Sequence, residues 1–194
     1  MSVQDTKLMT RIAIFASGSG SNAENIANYF NKSQEIDICL FLTNNPNAFV
    51  LERAKKLGIK SLIFTKEQFL KTDEILQFLL KNDINLIVLA GFLLKIPEIL
   101  TKSFPNKIIN MHPALMPKFG GKGMYGDNVH KAVVEANETE SGTSHQYVNE
   151  NYDEGEIIFQ AKCKVLPTDT HEEVAAKIHE LEYEHFPKVI SSLI

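Results

Sequence analysis

The sequence predicts an α/β protein built on a mostly parallel, twisted sheet with helices on both faces and an antiparallel hairpin late in the chain. Three observations predict this. Apolar runs of strand length alternate with stretches of helical periodicity up to Asn110. One of those runs, NLIVLAG (85–91), is apolar throughout, the pattern of a strand covered on both faces. Two later runs, GTSHQYVN (142–149) and GEIIFQAKCKV (155–165), are joined by a short link and read as a hairpin, hence a mixed sheet edge. With 194 residues, 44% of them hydrophobic, the chain can bury one good core, so a single domain over 1–194 is expected.

The elements follow in order. RIAIFAS (11–17) is the first strand, and SNAENIANYFN (21–31) a helix opened by Ser21 and Asn22. EIDICLFLT (35–43) is the second strand, and NAFVLERAKKLG (47–58) a helix closed by Gly58. KSLIF (60–64) is the third strand. KEQFLKTDEILQFLLKND (66–83) reads as one long helix with an apolar stripe at Phe69, Leu70, Ile75, Phe78 and Leu79. NLIVLAG and then KIIN (107–110) are strands, and VHKAVVEAN (129–137) is helical. The closing helix, HEEVAAKIHELEYEHFPKVISSLI, begins with a capping box at Thr170 and Glu173. Repeats, linkers and low-complexity segments are absent.

Charge and composition exclude several classes. The net charge is −4 and no block of five or six like charges occurs, so neither nucleic acid nor an anionic membrane is an expected partner. No apolar run is long enough to span a membrane, and MSVQDTKLMTR lacks the apolar core of a signal peptide. Cys39 and Cys163 have no metal or redox spacing and read as buried free thiols of a cytoplasmic protein. No His/Asp/Glu set has metal-ligand spacing, so no metal is expected.

Two segments point to chemistry. ASGSGSNAENIANYF is a strand, two glycines and a helix start. Such a turn lets backbone N–H groups and the helix dipole meet an anion. The spacing Gly18-x-Gly20-x-x-Ala23 also fits a Rossmann-like dinucleotide fingerprint, but that requires an acid at the end of the second strand. Thr43-Asn44-Asn45 stands there instead, which favours a single phosphate. The competing reading is a tight turn with a helix cap. The second segment is IINMHPALMPKFGGKGMYG (108–126), where an apolar run stops at Asn110 and His112 follows between Met111 and Pro113. A third polar residue, Asp153 in NYDEGEII, falls in the turn between the late strands. An amide, an imidazole and a carboxylate would supply an oxyanion donor, an acid and a base if the fold joins them. The alternatives are a packed loop histidine and a turn-forming aspartate. No Ser or Cys stands on a strand-to-helix elbow, so direct transfer between two bound substrates fits better than a covalent intermediate.

These segments together resemble the phosphoribosylglycinamide formyltransferases, folate-dependent enzymes of purine synthesis. The likeness runs from IAIFASGSGSN through VLAGFLLKIP, INMHPALMPKFGG and GTSHQYVNENYDEGEII to the last helix. It implies the Rossmann-like formyltransferase fold, with the ribotide phosphate site in the N-terminal half and the folate and catalytic site in the C-terminal half. It implies transfer of the formyl group of 10-formyltetrahydrofolate to the amine of 5-phosphoribosylglycinamide through a tetrahedral intermediate. The partners would be small-molecule substrates, with the protein a monomer or homodimer. Carried over position by position, Gly20, Ser21 and Asn22 would bind the phosphate. Glu182 would receive the glycinamide end, with His179 a turn before it. Leu93, Leu94, Lys95 and Ile96 would hold the pterin, with Asn149, Glu150, Asn151, Tyr152 and Asp153 as the opposite wall. Lys66 aligns, across a gap, with a basic residue near the folate. Asn110, His112 and Asp153 would be the catalytic set, with Asn110 also touching the folate.

The chain departs from the family pattern at His145-Gln146, where an aliphatic residue and a histidine are usual, and at Tyr183, where relatives have a histidine. Strand alternation would turn His145 away from the face of Gln146. Methionyl-tRNA formyltransferase shares HPxLxP but carries a further tRNA domain, and formyltetrahydrofolate hydrolase an N-terminal regulatory one. Neither is expected here. A rival of another class is a folate- or nucleotide-binding module without turnover.

Overall fold

A computed structural model describes residues 9–121, 123–150 and 154–194. The first half alternates as the apolar pattern requires: β1 (Thr10–Phe15), α1 (Ser21–Phe30), β2 (Ile36–Thr43), α2 (Val50–Leu57), β3 (Lys60–Ile63), α3 (Lys66–Lys71), α4 (Glu74–Lys81) and β4 (Leu86–Leu89). Then come α5 (Glu98–Ser103), β5 (Ile108–His112), α6 (Asp127–Glu135), β6 (Glu140–Tyr147), β7 (Ile157–Lys164) and α7 (His171–Ser192). The strands form one seven-stranded sheet in the order β3-β2-β1-β4-β5-β6-β7. The pairs from β3 through β5 are parallel, while β5–β6 and β6–β7 are antiparallel. The late hairpin and the mixed edge are therefore as expected. The chain reverses its direction of winding between β1 and β4, and such a switch point opens a crevice beyond the strand ends.

Strand alternation divides the core. Ile12 and Ile14 of β1 face one layer with Ile26 of α1 and Phe186 of α7. Ala13 and Phe15 face the other, with Phe69, Leu79 and Leu100 from α3, α4 and α5. Strand β4, covered on both sides, buries all four of its residues. Phe15, Phe64, Phe69 and Phe92 form an aromatic group with ring centroids 5.0 to 6.1 Å apart. That group anchors Phe92, and with it the segment that leaves β4. Among the described residues no helix is long and apolar enough to cross a membrane.

Two local expectations need correction, and one short helix was not expected. The helix expected over 66–83 is two helices, because Thr72 is extended at φ −127°. Its hydroxyl donates to the Gln68 carbonyl at 2.8 Å and accepts the Glu74 N–H at 3.3 Å, offering the backbone an alternative to the helical ladder. The break leaves Leu70 exposed, while Phe69, Ile75 and Leu79 enter one core layer. Strand β5 runs past Asn110 to His112, because Met111 and His112 pair with His145 and Ser144 of β6. Helix α5 has only six residues after Pro97, too few to show a period in the sequence.

His145 lies on the face of β6 away from Gln146, as alternation requires. Its ring is fully buried, 4.8 Å from that of Phe186 and 5.9 Å from that of Phe159. Neither ring nitrogen has a hydrogen-bond partner among the described residues. Burial pushes its pKa down to about 3, and the nearby His185 adds a smaller push. The unfolded chain would therefore bind a proton that the folded protein refuses. Stability should fall as pH drops below about 6.5, at a rate approaching ~1.4 kcal/mol per pH unit from this residue, until about pH 3. Urea unfolding at pH 7.5 and 5 checks this: the loss should be smaller in His145→Leu than in the parent. Equal losses would mean that the imidazole gains a partner on protonation.

Candidate active site

A cavity of about 660 Å³ opens at the carboxyl ends of β1, β4 and β5. That is the size range of small-molecule sites, and it lies where the switch point places it. Its floor and walls come from six separate stretches of chain.

At one end is the turn from β1 into α1. Gly20 caps α1 in the left-handed conformation, φ +69°, and brings no side-chain cap to the N–H groups of the first turn. Those donors and the positive end of the helix dipole face the cavity. The acid in that turn, Glu24, does not oppose an anion unaided, because Arg53 and Lys56 of α2 pair with it. A Cβ on Gly20 would sit 2.5 Å from the Val50 Cβ, so this glycine lets α1 start against α2. Substituting it would disturb that packing as well as any bound anion, and Ser21 is the cleaner place to test the turn.

Three side chains continue from this turn. The amide of Asn22 donates to Glu182 at 2.8 Å, and the Nδ1 of His179 lies 2.9 Å from the same carboxylate oxygen. The Nε2 of His179 lies 3.4 Å from the Ser21 hydroxyl. Glu182 is 4% exposed, and its hydrogen bond holds the His179 pKa above the usual imidazole value. The side-chain amide oxygen of Asn22, Oδ1, is buried without a partner among the described residues. Across from them, buried His130 of α6 lines the cavity. Burial pushes its pKa down, partly opposed by Glu182.

At the other end stand Asn110 and His112. Two residues apart on β5, they project from the same face, while Met111 between them enters the core. The Nε2 of His112 lies 2.8 Å from the Phe119 carbonyl, an acceptor that sets the proton on that nitrogen. Phe119 is itself left-handed, at φ +55°, with its ring packed against a small cluster that includes Val133, Val174 and Ile178. The loop between them is pinned to the hairpin. The Ser144 hydroxyl donates to the Ala114 carbonyl at 2.6 Å and accepts the Met116 N–H at 2.9 Å, and Gln160 donates to the Met116 carbonyl at 3.1 Å. His112 therefore sits in a rigid setting although a proline-rich loop follows it.

The remaining walls follow the ends of β4 and β6. Leu93 to Ile96 line one side, and the Leu93 N–H donates to the Ser17 hydroxyl at 3.1 Å. Gln146 to Asn149 and Gly155 line the other. Gly155 has no room for a side chain, since a Cβ would meet the Tyr147 carbonyl at 1.6 Å.

The structure thus brings Gly20, Ser21, Asn22, Leu93, Leu94, Lys95, Ile96, Asn110, His112, Asn149, His179 and Glu182 into one cavity. It does not bring in Lys66, which opens α3, or the exposed Glu150, neither of which lines the cavity. Asn151, Tyr152 and Asp153 lie outside the described residues. Sequence reasoning missed His130, Asp127 and the Gln146–Val148 strand end as lining residues. The position of α6 directly after the glycine-rich segment was the available signal for the first two. Among the described residues no group of three His, Cys, Asp or Glu could hold a metal ion.

A mostly parallel sheet with a switch-point cavity, a helix start open to it and an Asn-x-His pair at a strand end point to the formyl transferases, and the chain belongs to that family, whose profile matches residues 10–190. Within it the chain groups with the phosphoribosylglycinamide formyltransferases. It is 35% identical to that of Haemophilus influenzae over 94% of this chain and 86% of the relative. It is 38% identical to the chloroplastic one of Arabidopsis thaliana over 94% of this chain, and spans 65% of that plant protein's length. The crystal structure of glycinamide ribonucleotide transformylase 1 from Geobacillus kaustophilus superposes with a TM-score of 0.88 at 31% identity, covering 96% of this chain and 99% of that one.

Proposed function

We propose that this cavity transfers a formyl group from 10-formyltetrahydrofolate to the amine of 5-phosphoribosylglycinamide. The observation that carries the reading is the placing of Asn110 and His112 on one strand face, within the same cavity as the glycine-capped start of α1 and the Leu93–Ile96 wall. The ribotide phosphate takes the first turn of α1. Glu182, held by Asn22 and His179, accepts the ribotide's donor groups. The folate ring lies against Leu93 to Ile96. Between the two, the amine nitrogen attacks the formyl carbon. A C–N bond forms, and the carbonyl electron pair moves onto oxygen. Asn110 donates to that oxygen, and His112 donates when protonated. The bond from carbon to the folate nitrogen then breaks, and the proton released by the amine ends on that nitrogen. Asp153 favours the imidazolium and relays this proton, directly or through water.

The competing reading, a binding module without turnover, predicts affinity alone. Incubation with both substrates separates them by absorbance, since only the enzyme releases tetrahydrofolate in step with ribotide. The phosphate assignment has its own test. Ser21→Asp places a carboxylate in the first turn, where it favours the helix but repels a phosphate. Thermal stability should hold or rise, the KM for ribotide should rise about tenfold or more, and the KM for folate should stay. An unchanged ribotide KM would remove the phosphate from this turn.

A further inference from the structure

We infer that the imidazole of His179 is the counter-charge of the bound phosphate, so that ribotide and a proton bind together. The inference rests on the ribotide reading above and adds to it a pH dependence of that one subsite.

The basic side chains that line the cavity among the described residues are Lys95, His112, His130 and His179. Lys95 belongs to the Leu93–Ile96 segment that follows β4, and His112 is held by the Phe119 carbonyl. His130 is buried, and its desolvation opposes charging. Arg53 comes near the turn but is occupied by Glu24 and by the Ser19 carbonyl, to which it donates at 2.8 Å. His179 remains. Its Nε2 reaches to 3.4 Å from the Ser21 hydroxyl, the edge of the helix start where the phosphate oxygens would sit. Its Nδ1 lies 2.9 Å from Glu182, which keeps that nitrogen protonated and the ring aimed at the turn. An imidazolium there donates to the carboxylate from one side and to the phosphate from the other.

Groups from three elements face His179 among the described residues. On α7 they are Glu182 and the Tyr183 ring, whose centroid is 5.0 Å away. From α6 come Asp127 and His130, and from α1 the uncharged Ser21 and Asn22. The hydrogen bond from Glu182 is the largest influence and raises the pKa, while partial burial works against it. A dianionic phosphate raises it further. Above the pKa of the free protein, binding must therefore take up a proton, and ribotide affinity falls as pH rises. Folate, which does not touch this corner, keeps its affinity.

Calorimetry of ribotide binding between pH 6.5 and 8.5, in buffers of different ionisation enthalpy, measures both quantities. The wild type should take up close to one proton at the alkaline end, with Kd weakening there by up to about tenfold per pH unit. His179→Lys keeps a positive charge that does not titrate in this range. It should bind with a flatter pH profile and little uptake. His179→Gln should bind throughout as weakly as the wild type does at pH 8.5. The phosphate's own second ionisation, near pH 6, is common to all three proteins and cancels in the comparison. Unchanged affinity for a folate analogue shows that each variant is folded. Equal proton uptake and equal slopes in the wild type and His179→Lys would overturn the inference while leaving formyl transfer standing. A wild type that binds no ribotide at any pH would overturn the ribotide reading itself, and the inference with it.

Discussion

Asn110→Ala and His112→Ala are each expected to lower kcat by roughly 10²–10³, with secondary structure intact and little change in either KM. Each removes one donor to the oxyanion, an interaction that grows only as charge develops, and such a donor is worth about 3–4 kcal/mol in a water-poor site. The geometry supports assigning them as a pair. They share a face of β5, and their strand is flanked by β4 and β6. His112→Ala also leaves the Phe119 carbonyl without its partner, so the loop after β5 should loosen. His112→Gln serves as a control, since its longer amide reaches the position of Nε2 and can still donate to that carbonyl. Its kcat should remain low although the loop is held. Because both residues serve one oxygen, the double variant should lose less than the product of the single losses. Circular dichroism and steady-state rates on the four proteins decide this. A near-wild-type kcat in His112→Ala would return the histidine to a purely structural role, the anchoring of Phe119.

The second large effect is expected at Asp153. Asn149 and Gly155, on either side of it in the chain, line the cavity. Asp153→Asn keeps the shape and removes the charge, so folate should bind as before. Acid–base assistance is typically worth about 10²–10⁴ in rate, and kcat should fall within that range. The pH profile gives an independent measure. A limb that depends on the Asp153 carboxylate should vanish or move in the variant. Normal folate affinity with full kcat at every pH would reduce the turn to a wall of the pocket.

The features legible in the sequence were those set by neighbours along the chain. Alternating apolar runs gave the strand and helix order, because burial of a repeating face is a local pattern. The glycine turn before Ser21 and the capping box at Thr170 were readable for the same reason, each involving atoms three or four residues apart. So was the Asn-x-His spacing of β5, since a period of two puts both side chains on one face wherever the strand lies. The break at Thr72 was a near miss: its side-chain bonds are local, but the apolar stripe outweighed them. What the tertiary structure alone decided was the company these residues keep. Asn22 and Glu182 share a hydrogen bond across 160 positions, and Ser21 and His179 approach across 158. Nothing in the composition of either helix encodes that meeting. It arises because α1 and α7 cover the same face of the sheet, packed over Ile12 and Ile14. His130 could not be singled out for the same reason. Its helix has the pattern of any half-buried helix, and only the docking of α6 against α7 turns its buried face toward the carboxylate.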